Sequence, residues 1–288
     1  MQSLLTSIEE WLRGILMSGI LSNMRTAFDS VNVQVGSIAG EVAKTPFTFN
    51  ASIFAMIRNL SENIIMPIAG IILTFIACYE LIQLVISHNN LANFETWIFF
   101  KWVFKTFIAV LLITNTMNIT MAVFDVSQYV VQSASGIITE STYVDTTGFE
   151  NFEYFLEMQT TGELFAILLQ SFVAQFLIYI LAALIYVIVY ARMIEIYLMI
   201  SMAPIPFATF GNKEQSMIGQ NYVKSLFALG FQGFLIMVCV AIYAVLIHNV
   251  AFTANIVESL WKVIGITVLL CFTLFKTGSV AKSILHAH

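Results

Sequence analysis

Five apolar runs dominate the chain, at roughly Ile64–Ile86, Trp97–Met117, Leu164–Tyr190, Tyr222–His248 and Leu260–Lys276. A helix of about 17–25 such residues crosses a hydrocarbon core of about 30 Å, so each run predicts a membrane span. The third contains no charged residue at all. The first carries Pro67 in its opening turn, where a missing backbone donor costs least.

Two stretches outside the runs are patterned differently. In Ser3–Leu21, the positions Leu4, Ile8, Trp11, Leu12 and Ile15 recur at helical spacing, with Glu9, Glu10 and Arg13 opposite. This predicts an amphipathic helix, interrupted at Gly14 and Gly19 and too polar to span. A polar stretch follows until Thr45-Pro46 breaks it, because proline disfavours helix in the residue before it. Asn50 or Ser52 then caps a short helix leading into Arg58 and Glu62. Ile119, Val123, Val126, Val130, Ala134 and Ile137 mark a second amphipathic helix, with Asp125, Gln128, Gln132 and Ser135 on its other face.

Met193–Phe210 is apolar enough to be a sixth span but contains Glu195, Pro204 and Pro206. Two prolines two apart remove two donors, and each costs a helix interior about 3 kcal/mol. The segment is therefore expected to be broken or re-entrant, with its freed carbonyls covered by protein or water. The fold class is all-α: a polytopic membrane protein of about five spans, with this broken segment and the amphipathic helices. Four regions follow along the chain: an exposed N-terminal amphipathic region (1–62), a first helical hairpin (63–118), an acidic extracytoplasmic loop with an amphipathic helix (119–163), and a C-terminal membrane domain (164–288).

Composition supports the class. Hydrophobic residues make up 59% of the 288 residues and charged residues 10%, against about 45–50% and about 25% in soluble domains. The formal net charge of -5 argues against a nucleic-acid-binding surface, which needs clustered Lys and Arg. Cys78, Cys239 and Cys271 each fall inside a predicted span and match neither a disulfide framework nor a zinc site. The first charges are Glu9 and Glu10, not the basic n-region of a cleaved signal peptide.

Charge also orients the chain, because basic residues flanking spans stay in the cytoplasm. From Thr106 to Ala191 there is no Lys or Arg, whereas Asp125, Glu140, Asp145, Glu150, Glu153, Glu157 and Glu163 fall there. The central loop is expected outside, with Lys101, Lys105, Arg192, Lys213, Lys224, Lys276 and Lys282 inside. The N-terminus is then outside, against the votes of Arg13, Arg25, Lys44 and Arg58, which are scattered over a long segment.

No catalytic constellation is present: the four histidines (His88, His248, His286, His288) share no ligand spacing, and there is no nucleophile triad or phosphate loop. Neither a cofactor nor a metal is implied. Ionisable groups near spans are candidates. Glu80 with Lys101 or Lys105 reads as an interfacial ion pair or as a proton or ion site, and Arg192 with Glu195 as a local i,i+3 pair. Gln170, Gln175, Gly230, Gln232 and Gly233 are suited to helix packing and to pore lining alike.

Met202-Ala203-Pro204-Ile205-Pro206-Phe207-Ala208 is followed by a polar turn at Gly211-Asn212. Gly219-Gln220-Asn221-Tyr222-Val223-Lys224 comes next, and then Gly230-Phe231-Gln232-Gly233. In this order, over roughly 164–280, the motifs resemble the TrbL family. These are the VirB-type polytopic inner-membrane subunits of type IV secretion and conjugation systems, and the resemblance is to the compact versions on Gram-positive conjugative elements. The long soluble C-terminal extension of many TrbL proteins is not expected in this chain. The resemblance implies a non-enzymatic, oligomeric channel or scaffold subunit in the cytoplasmic membrane. Its implied partners are the system's ATPases, a bitopic scaffold subunit, a cell-wall hydrolase and membrane lipid. Single-stranded DNA with its relaxase would pass it without stable binding. Pro204 and Pro206 would then be a hinge, with Asn212, Lys213, Asn221 and Lys224 as cytoplasmic contacts. The alternative is a secondary transporter of a small solute, since broken helices also build midplane solute sites.

Overall fold

A computed structural model describes residues 2–87, 96–138, 149–212, 214–248 and 256–287. These residues are almost wholly helical, and no strand occurs among them. Five helical stretches are long and apolar enough to span a membrane: Ala51–Ser87, Thr96–Thr114, Thr161–Met202, Ser216–Ile247 and Trp261–Ile284. They leave large apolar side chains on the outside, among them Phe75 and Trp97 (both 73% exposed) and Phe176 (66%). In water such surface costs roughly 25 cal/mol per Å², whereas in lipid it is the preferred boundary. The chain is a multi-pass, all-α membrane protein.

The first of these stretches is not one regular helix. Asn50 caps α3 (Ala51–Leu60), its side chain accepting from Ile53 N at 3.0 Å. Before it, Thr45 and Thr48 form a capping box at the start of the one-turn α2 (Pro46–Phe49). Between α3 and α4 (Met66–Ser87) lies a π turn, Ser61–Ile65, in which Met66 N reaches back to Ser61 O. Pro67 follows at once and has no N–H to give, which favours a register shift just ahead of it.

Contacts divide the described residues into two units. One comprises Met1–Val42, Ser133–Tyr190 and Leu235–Thr277; the other comprises Ala43–Gln132, Ala191–Phe234 and Gly278–His288. α8 (Thr161–Met202), α10 (Ser216–His248) and α11 (Ile256–Ile284) each give residues to both.

In the first unit, α1 (Gln2–Val42) corrects the expectation of a short helix interrupted at Gly14 and Gly19. Helix continues through both glycines to Val42. Around Gly14 there is open space, while a Cβ at Gly19 would sit 3.0 Å from Leu168 of α8. The contacts of α1 explain its persistence. Arg13 donates to the Gln159 and Glu157 carbonyls at 2.7 and 2.8 Å, capping the end of α7 (Phe149–Glu157). Asn23 donates to Ser171 at 3.0 Å, and Leu16, Ile20 and Met24 are buried.

In the second unit, Leu73 of α4, Ala109 and Ile113 of α5 (Thr96–Thr114), and Phe124 of α6 (Thr116–Ile138) share one apolar core. Met193, Ile196 and Ile200 of α8 join it, with Leu226 and Leu229 of α10. The polar stretch 139–148, which holds Glu140 and Asp145 and is expected to be a loop, lies outside the described residues.

Candidate functional site

The proline break expected over 193–210 is shorter than that. Met193–Met202 is the last part of α8, a single helix of 42 residues, about 63 Å at 1.5 Å per residue. Only after Met202 does it give way, to the short α9 (Pro204–Ala208) and a 3₁₀ turn, Thr209–Gly211. The segment is a helix end followed by a short helix and a tight turn.

The carbonyls of Met199, Ile200 and Pro206 at the break find partners. Pro204 cannot donate to Ile200 O, which instead accepts from Ala203 N at 3.2 Å and, at a long 3.4 Å, from the Ser61 hydroxyl of the π turn. The Tyr222 hydroxyl of α10 donates to Met199 O at 2.8 Å. Thr209 donates to Pro206 O at 2.7 Å and accepts from Gly219 N at 3.1 Å, tying α9 to the first turns of α10. Gly219 permits that approach, since a Cβ there would lie 2.8 Å from Pro206 O and 2.7 Å from the Phe210 ring. Ser61, Pro204, Thr209 and Gly219 are all buried. Gly219 and Tyr222 are visible in the motif 219–224. Ser61 is not, since nothing in the sequence near it indicates a partner about 140 residues away.

The remaining site residues divide. Asn212, expected at an exposed contact, is 3% exposed; its side chain accepts from Glu214 N at 2.7 Å and Gln215 N at 3.3 Å, leading the chain into α10. Lys213 lies outside the described residues. Asn221 is half-buried and Lys224 exposed. Arg192 and Glu195 do not pair with each other. Arg192 is 5% exposed and donates to the Leu229 and Gly230 carbonyls at 3.2 and 3.3 Å, while Glu195 meets Lys282 at 2.8 Å. Residues three apart share a helix face only broadly, and here neighbouring helices on either side claim them separately.

Gly230 marks a close helix crossing: a Cβ there would run into Ser127 Oγ and lie 2.9 Å from Ser127 Cβ of α6. The buried Gln232 amide lies 3.2 Å from the position of a Cβ on Gly278. Gly233 is buried as well, and Gln170 and Gln175 are half-buried. Close approach of this kind favours packing over pore lining at Gly230. Among the described residues no group of three His, Cys, Asp or Glu is placed to hold a metal.

Glu80 takes Lys105, at 2.5 Å, and not Lys101. Charge reversal follows from that choice. Glu80→Lys is expected to lower the amount of protein in the membrane, and Lys105→Glu to restore part of it. Exposed pairs contribute about 0–1 kcal/mol, and Glu80 is mostly shielded, with 17% of its side chain exposed. Quantitative immunoblotting checks this; equal rescue by Lys101→Glu would contradict the pairing.

Comparison with curated proteins and with solved structures gives no match. A family model described as "TrbL/VirB6 plasmid conjugal transfer like protein" matches residues 31–204, well over half of the chain. That span ends on Pro204 and overlaps the stretch 164–280, where the motif resemblance lies, only in α8 and the start of the break. With five span-length helices and a match from α1 to the proline break, the chain belongs to the TrbL/VirB6-like family of plasmid conjugal transfer proteins.

Proposed function

We propose that the protein is a structural channel or scaffold subunit of a type IV secretion apparatus in the cytoplasmic membrane, with its N-terminus outside and its C-terminus in the cytoplasm. The family match over residues 31–204 carries this reading, since it implies a component of a conjugal transfer apparatus. The work assigned to this subunit is mechanical. Its tasks are to hold a passage through the membrane, to engage the system's ATPases, the bitopic scaffold subunit and the cell-wall hydrolase, and to let single-stranded DNA with its relaxase go by. The break after Met202 suits that role, because a buried turn tied to α10 through Thr209 and Tyr222 transmits a push between α8 and α10 without melting.

A secondary transporter draws on one observation, that two helix irregularities meet where Ser61 of the π turn contacts the Ile200 carbonyl. In-cell cross-linking of a tagged subunit in donor cells separates the two. The transfer reading predicts recovery with copies of itself and with a secretion ATPase. Recovery without any secretion component would leave the transporter.

Orientation is tested in a background lacking Cys78, Cys239 and Cys271. Glu153→Cys is expected to react with impermeant maleimide in intact cells, and Lys224→Cys only after lysis. Reaction of Lys224→Cys in intact cells would invert the assignment.

A further inference from the structure

Among the described residues Arg192 is the only buried charge, at 5% exposed. Its Nε and Nη2 donate to the Leu229 and Gly230 carbonyls of α10, and its Nη1 has no partner. No carboxylate pairs with it. Glu195, three residues further along α8, holds Lys282 in the last turn of α11 at 2.8 Å instead.

The bonds that Arg192 makes are lopsided. Leu229 and Gly230 lie inside α10, a helix of 33 residues. Their carbonyls therefore also accept from α10's own N–H groups four residues on. Taking the guanidinium away orphans no acceptor. The guanidinium itself is buried with no opposite charge and one idle nitrogen, and such burial is costly in a protein interior and near a membrane. Arg192 thus holds α8 to α10 at a net loss of stability. The hold falls at a sensitive place, since a Cβ on Gly230 would run into Ser127 Oγ, where α10 crosses α6.

A better partner stands close by. Residues three apart on a helix have Cβ atoms about 5–6 Å apart, so the long Arg192 side chain can reach Glu195 along α8. The Glu195–Lys282 bridge is half-exposed, with 45% and 43% of the two side chains open, and bridges of that kind are weak.

We propose that Arg192, Glu195 and Lys282 form a charge-exchange switch. In the latched state, seen in this structure, Arg192 grips α10 and Glu195 grips α11. In the released state Arg192 swings to Glu195, which lets go of Lys282. α10 is then free at Gly230, and the last turn of α11 is free at Lys282. One carboxylate moves the contacts of three helices. The effect of the switch on DNA transfer rests on the conduit reading; its effect on stability does not.

The test uses the full-length protein, melted in detergent, and donor cells holding equal amounts of each variant. Arg192→Met and Arg192→Gln are expected to raise the melting temperature by about 2–4 °C, because the uncompensated charge is gone. Both should lower transfer at least about tenfold. Glu195→Gln and Lys282→Gln break the same bridge, so a merely structural bridge predicts equal transfer by the two. The switch predicts about a tenfold loss for Glu195→Gln, wild-type transfer for Lys282→Gln, and retained transfer for Glu195→Asp. A lower melting temperature in both Arg192 variants overturns the proposal, as does equal transfer by Glu195→Gln and Lys282→Gln. Should deletion of the whole gene leave transfer unchanged, the conduit reading fails, and the melting temperatures alone decide the switch.

Discussion

Gly219→Ala is expected to be among the most damaging single-methyl changes in the chain. The added Cβ would stand 2.8 Å from the Pro206 carbonyl oxygen and 2.7 Å from the Phe210 ring. A ring on a side chain can rotate away, but a backbone carbonyl held by Thr209 in a buried turn cannot. Overpacking of this kind costs about 1–3 kcal/mol, and the Gly219–Thr209 bond at 3.1 Å is lost with it. The variant should show reduced membrane abundance and a lower melting temperature in detergent. Phe210→Ala should not rescue it, because the carbonyl remains. Gly14→Ala is the matching control, in a helix position with nothing within 4 Å; it should be neutral or slightly stabilising. Normal abundance of Gly219→Ala would show that the turn is looser than its contacts indicate.

The second large effect is functional. Pro204→Ala/Pro206→Ala restores two backbone donors and lifts the cost, about 3 kcal/mol per proline, that bars one continuous helix through both positions. α8 is then free to run on past Met202, drawing Thr209 away from Gly219 and the Ile200 carbonyl away from Ser61. The double variant should insert and accumulate normally. Its DNA transfer, measured as transconjugants per donor, should fall by at least about tenfold, which corresponds to about 1.4 kcal/mol in one coupled equilibrium. Wild-type transfer at equal abundance would show that the prolines merely end a helix beside lipid.

Features that depend on local rules were legible in the sequence. The spans follow from run length alone, and Asn50 as a cap and the amphipathic α6 follow from side-chain type and period. Features set by a distant partner were not. The two glycines read as breaks in α1 because isolated helices pay for glycine, yet contacts from Arg13 and Asn23 to residues about 150 positions later hold the helix through them. Arg192 carries a charge that sequence reading places at an interface, but α10 buries it against two of its own carbonyls. Helix α8 ends next to Pro204, as proline chemistry requires, while Glu195, which argues against a full span in the sequence, sits on regular helix and pairs with Lys282. Asn212 looked like a surface contact since it is polar and follows glycine; its capping bonds explain the same residue without a partner protein.

An in-frame deletion in a conjugative donor, scored at two points in the same cells, tests the central claim most directly. Relaxase-nicked DNA in the donor reports the steps before the membrane, and DNA arriving in the recipient reports passage through it. A structural subunit of the conduit predicts normal nicking, no DNA in the recipient, and restoration when the intact gene is supplied in trans. Arrival of DNA at the undeleted frequency would contradict it.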